Sequence, residues 1–183
     1  IGFNLATPTL KAFAETGSDS INVELLATSD LHGKFFTWDY ATNKEDKTGS
    51  MAQLQTILKG LRTNNPNSIL VDAGDTIQGN SSQLFLNDPI HPMILGMNEM
   101  GYDTWSYGNH EFNYGVPTLK KITSELNSKT TALCANVYEK DGVTRLAEPY
   151  KIVVRPGLDG DTVKVAILGM VTPNIVRWDA ANL

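Results

Sequence analysis

A single cysteine and three histidines are all that the 183 residues offer of the side chains that most readily bind transition metals. With one thiol no internal disulfide can form, and Cys134, inside the apolar run TTALCANV, reads as a small core residue. Positive charge is also scarce. Fifteen Lys and Arg stand against 20 Asp and Glu, a net charge of -5 that supplies no basic face for a nucleic-acid polymer. Apolar runs are short, so no segment has the length of a membrane span. With 41% hydrophobic residues, however, the chain can bury a sizeable core as one domain.

The first twenty residues form a tail distinct from the domain expected over 21–183. Ala12, Phe13 and Ala14 match the small-x-small pattern that precedes a secretory cleavage site, which would place the cut after Ala14. That reading implies a secreted, periplasmic or wall-associated protein. Lys11 and the lack of a basic leader region argue for the alternative, a flexible tail on a cytoplasmic protein.

Downstream, strand and helix patterns alternate. INVELLATSD predicts a strand; TGSMAQLQTILKGLRTNN predicts a helix presenting Met51, Leu54, Ile57, Leu58 and Leu61, stopped at Asn64 and Asn65. SILVDAGD predicts a second strand, Asp88 and Pro89 open a helix running to Gly101, and YDTWSYGNH predicts a third strand. A helix over 116–126 and a strand at TTALCANV follow. The order indicates an α/β domain with a parallel sheet flanked by helices. YKIVVRPGLDGDTVKVAILGMV adds a hairpin about Gly-Leu-Asp-Gly, hence an expected mixed sheet.

Ligands of open α/β sheets collect beyond the carboxyl ends of the strands. Polar residues concentrate there: Asp30 and His32 after the first strand, Asp75 after the second, Asn109 and His110 after the third. An i, i+2 pair such as Asp30 and His32 can aim at one point where the chain turns sharply. Imidazole with carboxylate suits zinc, iron or manganese better than calcium. Asp75 has two oxygens with which to bridge two cations. Singly, Asp30 and Asp75 are ordinary turn residues; their ordered occurrence at successive strand ends is far more specific.

The strings Asp30-Leu31-His32-Gly33, Gly74-Asp75 and Gly108-Asn109-His110-Glu111 together resemble the calcineurin-like metallophosphoesterases. LVDAGDTIQG and YGNHEFNYG look like the branch of 5'-nucleotidases and 2',3'-cyclic-nucleotide 2'-phosphodiesterase/3'-nucleotidases, over roughly residues 23–172. The resemblance implies a layered α/β sandwich and two divalent metals (Zn, Mn, Fe or Co). Asp30 and His32 would bind one metal, Asp75 would bridge both, and Asn109 would bind the second. Hydroxide, formed from water that the metals would make more acidic, would attack a nucleotide phosphoester while His110 faces the phosphoryl group or leaving oxygen.

The same resemblance calls for further histidines in later motifs, yet none follows His110. His91, before Pro92, reads as a surface or capping residue. The expectation is therefore the N-terminal part of a metallophosphoesterase, with the C-terminal half and its nucleotide-binding domain supplied by the same enzyme. By itself this part would bind metal weakly and turn over little.

Asn113 divides the substrate classes. Where 5'-nucleotidase-like members commonly place an aspartate beside the histidine, this chain has an amide, which orients the ring but adds no charge. That favours the cyclic phosphodiesterase/3'-nucleotidase branch; a 5'-nucleotidase or UDP-sugar hydrolase is the alternative. Asn113 equally suits the N-cap of the helix at 116, and Glu111 suits ordering its own loop. Asn136 suits a strand-end hydrogen bond more than a place on the rim. A catalytically dead binding domain, with Trp38, Tyr40 and Trp105 as stacking surfaces, is the reading of a different class.

Overall fold

The computed structural model describes residues 10–12, 21–156 and 162–183. Ala14, where cleavage was expected, and the turn 157–160 lie outside the described residues. Two short strands, β1 (Leu10–Ala12) and β2 (Ile21–Val23), pair antiparallel ahead of the main sheet.

The main sheet contains β3 (Leu25–Thr28), β6 (Ile69–Asp72), β7 (Thr104–Ser106) and β8 (Thr131–Leu133), all parallel and in chain order. Between the first two lie a small hairpin, β4 (Trp38–Asp39) with β5 (Lys44–Glu45), and helix α1 (Met51–Asn64). Helices α2 (Pro92–Met100) and α3 (Val116–Thr123) make the next two crossovers. Thr28, Asp72, Trp105 and Ala132 stand in one row across the four strands. Because the register aligns these positions, the loops leaving β3, β6 and β7 emerge on one rim.

Local chemistry accounts for the helix boundaries. Ser50 caps α1 in a capping box: its Oγ accepts the Gln53 amide at 3.3 Å while Gln53 Oε1 accepts the Ser50 amide at 2.9 Å. Met51, Leu54 and Leu58 are buried, but Ile57 is 45% exposed. At 100° per residue it sits roughly 90° round from the centre of the buried stripe, so it misses the core. Helix α2 starts at Pro92, later than the expected opening at Asp88 and Pro89. His91 is its N-cap, with Nδ1 accepting the Met93 amide at 3.3 Å and Pro92 at the first helical position. His91 thus caps, but it is fully buried rather than on the surface, and burial pulls its pKa down to about 4. The neutral ring is the form that can accept that amide.

The buried sides of α1, α2 and α3 share one core with Leu26, Leu70, Trp105, Ala132 and Cys134. Trp105 and Cys134 are completely buried, whereas Trp38 and Tyr40 face solvent. Strands β9 (Tyr150–Pro156) and β10 (Thr162–Leu168) form the expected antiparallel hairpin. Parallel and antiparallel pairing occur in separate ladders rather than within one mixed sheet. The ladders are tied by the Cys134 amide to Glu148 O at 2.8 Å and the Ala135 amide to Gly169 O at 2.7 Å. Arg155 on β9 also pairs with both carboxylate oxygens of Asp103, each at 2.6 Å. A last short helix, α4 (Ile175–Trp178), follows and buries Ile175. No helix among the described residues is long and apolar enough to cross a membrane.

Candidate active site

The loop after β3 is held against the loop after β6 chiefly by a ladder of backbone bonds, with the Asn80 side-chain amide donating to the His32 carbonyl at 2.6 Å. The amides of Asp30, His32 and Gly33 donate to the carbonyls of Gly74, Asp75 and Thr76 at 3.0, 2.9 and 2.8 Å. This ladder carries the chain past the strand ends in a conformation few residues adopt: φ is +58° at Asp30, +45° at His32 and +58° at Asp75. Left-handed backbone at non-glycine positions persists only where surrounding contacts over-determine it, and it clusters at functional sites.

The loop after β7 is brought in by glycines and by one carboxylate. A Cβ at Gly74, whose φ is +104°, would lie 2.6 Å from Gly108 Cα, so the two backbones can approach only without side chains. Glu111 is fully buried and accepts four backbone amides: Asp75 at 2.8 Å, Thr76 at 2.7 Å, Ile77 at 3.3 Å and Gly108 at 2.6 Å. It therefore clamps two loops together instead of ordering only its own. Burial pushes its pKa up, and the amide bonds oppose that shift.

Beneath the clamp lies a second buried carboxylate. Asp72 accepts the Gly74 amide at 2.9 Å and the hydroxyls of Thr76 and Thr28 at 2.6 and 2.5 Å. Since Thr28 spends its proton on Asp72, the Tyr102 hydroxyl donates to Thr28 at 2.9 Å. Burial raises Asp72 to about 7.

On this foundation three of the expected residues converge. Ligand-capable atoms of His32, Asp75 and His110 lie within 4.8 Å of one another, and the His32 and His110 rings meet edge to face at 5.2 Å between centroids. Asp30 is exposed at the margin, with Oδ1 3.8 Å from His32 Nε2. Asp75 Oδ1 accepts the His110 amide at 2.9 Å. Asn109 opens the short 3-10 turn His110–Phe112 and its side chain makes no capping bond. His32 Nδ1 lies 3.2 Å from the Gln78 carbonyl, an acceptor only, so Nδ1 carries the proton and the Nε2 lone pair is free for the rim. Two imidazoles and a carboxylate converging in this way fit a transition-metal cation.

Asn113 is not the cap of α3, because Gly115 occupies that position with φ +80°. The Asn113 side chain turns back instead, its Oδ1 lying 2.7 Å from His110 Nδ1 and its Nδ2 donating to Asp179 Oδ1 at 2.6 Å. Asn136 ties strand ends, exchanging bonds with the Val171 backbone at 2.6 and 3.1 Å. Asp72 could have been flagged in the sequence as a carboxylate closing an apolar strand. Asp179, 66 residues beyond Asn113, carries no local signal at all.

The calcineurin-like phosphoesterase family model matches residues 23–175. The trifunctional nucleotide phosphoesterase protein YfkN of Bacillus subtilis is 33% identical over 98% of this chain and 13% of its own length. A crystal structure of YfkN superposes with a TM-score of 0.78, covering 89% of this chain and 52% of that one. A 2',3'-cyclic-nucleotide 2'-phosphodiesterase/3'-nucleotidase of Yersinia enterocolitica is 32% identical over 90% of this chain and 26% of its own length. A 5'-nucleotidase of Vibrio cholerae is 31% identical over 84% and 26% respectively. The chain thus spans between 13% and 26% of the length of these relatives and corresponds to their N-terminal part. Hydrolytic nucleotide phosphoesterases are its relatives, its parallel sheet flanked by helices matches the fold of solved calcineurin-like phosphoesterases, and the chain belongs to that family.

Proposed function

We propose that this chain is the N-terminal part of a metal-dependent nucleotide phosphoester hydrolase, acting as a 2',3'-cyclic-nucleotide 2'-phosphodiesterase/3'-nucleotidase. The observation that carries the reading is the convergence of His32, Asp75 and His110 on one rim, with Asn113 turned onto His110. Asp30 and His32 would hold one divalent cation, Asp75 both, and Asn109 the second. When bound, such cations supply Lewis acidity and a more acidic water. His110 would hold or deliver a proton at Nε2 toward the departing oxygen, its Nδ1 being occupied by Asn113. The Glu111 clamp keeps Asp75 and Asn109 at fixed separation, so orientation is set before substrate arrives.

The test is product release by the full-length protein from 2',3'-cyclic AMP, 3'-AMP and 5'-AMP. Opening of the cyclic ester followed by phosphate release from the 3' position supports the reading; action on 5'-AMP alone overturns it in favour of a 5'-nucleotidase. Two equivalents of transition metal in the purified protein would separate either enzyme from a binding domain. Export rests on Ala12 to Ala14 and is checked by sequencing the N-terminus of protein recovered outside the cytoplasm.

A further inference from the structure

Asp179 caps the C-terminal end of α4 and is 6% exposed, remote in sequence from every motif of the rim. Its Oδ1 accepts the Asn113 Nδ2 proton at 2.6 Å, with a weaker approach from Asn182 Nδ2 at 3.4 Å. A carboxylate oxygen only accepts, so the end of the Asn113 amide that faces it must be the NH2 group. The other end, 2.7 Å from His110 Nδ1, is then the carbonyl oxygen, and Nδ1 must be the protonated nitrogen.

An asparagine beside a histidine does not by itself decide this. Turned one way it accepts from Nδ1–H; turned the other way it donates to a bare Nδ1 and leaves the proton on Nε2. Asp179 breaks that symmetry. The C-terminal turn is also seated against the loop, since a Cβ on Gly115 would meet the Asn182 carbonyl at 3.4 Å. We infer that Asp179 is a positioning residue for His110: by fixing the Asn113 amide it holds His110 in the Nδ1–H tautomer and presents Nε2 to the reacting phosphoester. Nε2 can then gain or lose a proton while the Nδ1 bond stays intact, so the ring need not turn between the two halves of a proton transfer. The inference rests on the proposed role of His110, but the tautomer itself does not.

The experiment uses the full-length protein with ¹⁵N-labelled histidine. Ring nitrogen shifts of His110 are compared in the parent, Asp179→Leu, and Asp179→Leu combined with Asn113→Asp, beside kcat and KM for 2',3'-cyclic AMP. The parent is expected to show Nδ1–H. Asp179→Leu should shift His110 toward Nε2–H and lower kcat by about 10- to 100-fold with KM nearly unchanged. A carboxylate at position 113 can only accept, so the double variant should restore both the tautomer and most of the turnover. A purely structural Asp179 would not be rescued in that way. Should Asp179→Leu fail to fold, Asp179→Asn with Asn113→Asp replaces it, since the new amide can donate to the new carboxylate. An Nε2–H tautomer in the parent, or no rescue by Asn113→Asp, overturns the inference. Correct tautomer behaviour without nucleotide turnover would instead sink the proposed function and leave the positioning role standing.

Discussion

Glu111 accepts the backbone amide of Asp75 at 2.8 Å, so the carboxylate of one motif fixes the main chain of another 36 residues earlier. The same two oxygens hold Thr76, Ile77 and Gly108. Replacing one oxygen by an NH2 group sets donor against donor in a site without water access. Glu111→Gln should therefore cost roughly 3 kcal/mol, by the penalty for buried unsatisfied amides. Urea unfolding measures it, and a variant as stable as the parent would show that the clamp carries no load.

The approach of Gly74 to Gly108 makes a paired prediction with an internal control. Gly74→Ala places a Cβ against the Gly108 backbone at φ +104°, and a loss of about 2 to 4 kcal/mol is expected. Gly60, in the interior of α1, has nothing within 4 Å of where a Cβ would go. Gly60→Ala should stabilise by about 0.5 to 1 kcal/mol. Equal midpoints for the two variants in thermal unfolding would contradict this account of the loops.

Asp72 predicts a pH dependence of definite sign. Its carboxyl titrates near 4 in the unfolded chain and at about 7 in the fold, where burial holds the proton more tightly. Its contribution to stability is complete below pH 4, declines as pH rises toward 7, and levels off above. The full span is about 4 kcal/mol. Asp72→Asn should remove this part of the slope in Tm between pH 4 and 7; parallel slopes for parent and variant would refute it. Glu111 is pushed in the same direction and its charge adds to the rise at Asp72, so the variant keeps a smaller slope of the same sign.

His110 is held apart from the proposed ligands by its function rather than by distance. His110→Ala in the full-length protein should lower kcat by about 10²- to 10⁴-fold while both metals are retained in elemental analysis. Loss of metal along with activity would move His110 into the ligand set, where its place within 4.8 Å of His32 and Asp75 would allow it to stand.

Much of the fold is legible because period and punctuation are local. The parallel strands, the Asn64 and Asn65 stop of α1 and the Gly101 end of α2 each follow from a few adjacent residues. The misreadings were also local conflicts. Asp88-Pro89 and His91-Pro92 both carry a helix-start signal, and only the burial of His91 selects the second. Asn113 suited an N-cap, but Gly115 could take the left-handed turn before α3 and freed the amide for His110.

The sequence alone determined which residues reach the rim side of the sheet. Asp30, His32, Asp75, Asn109 and His110 each sit just past a strand, and parallel strands in register must deliver such residues to one side, where His32, Asp75 and His110 draw together. The tertiary structure alone decided how they are held. Glu111 reaching 36 residues back to Asp75, and Asp179 reaching 66 residues back to Asn113, are contacts between segments that share no periodicity. A side chain's hydrogen-bonding type is written in the sequence, but its partner depends on which backbone the fold brings within about 3 Å, and only the packed chain sets that distance.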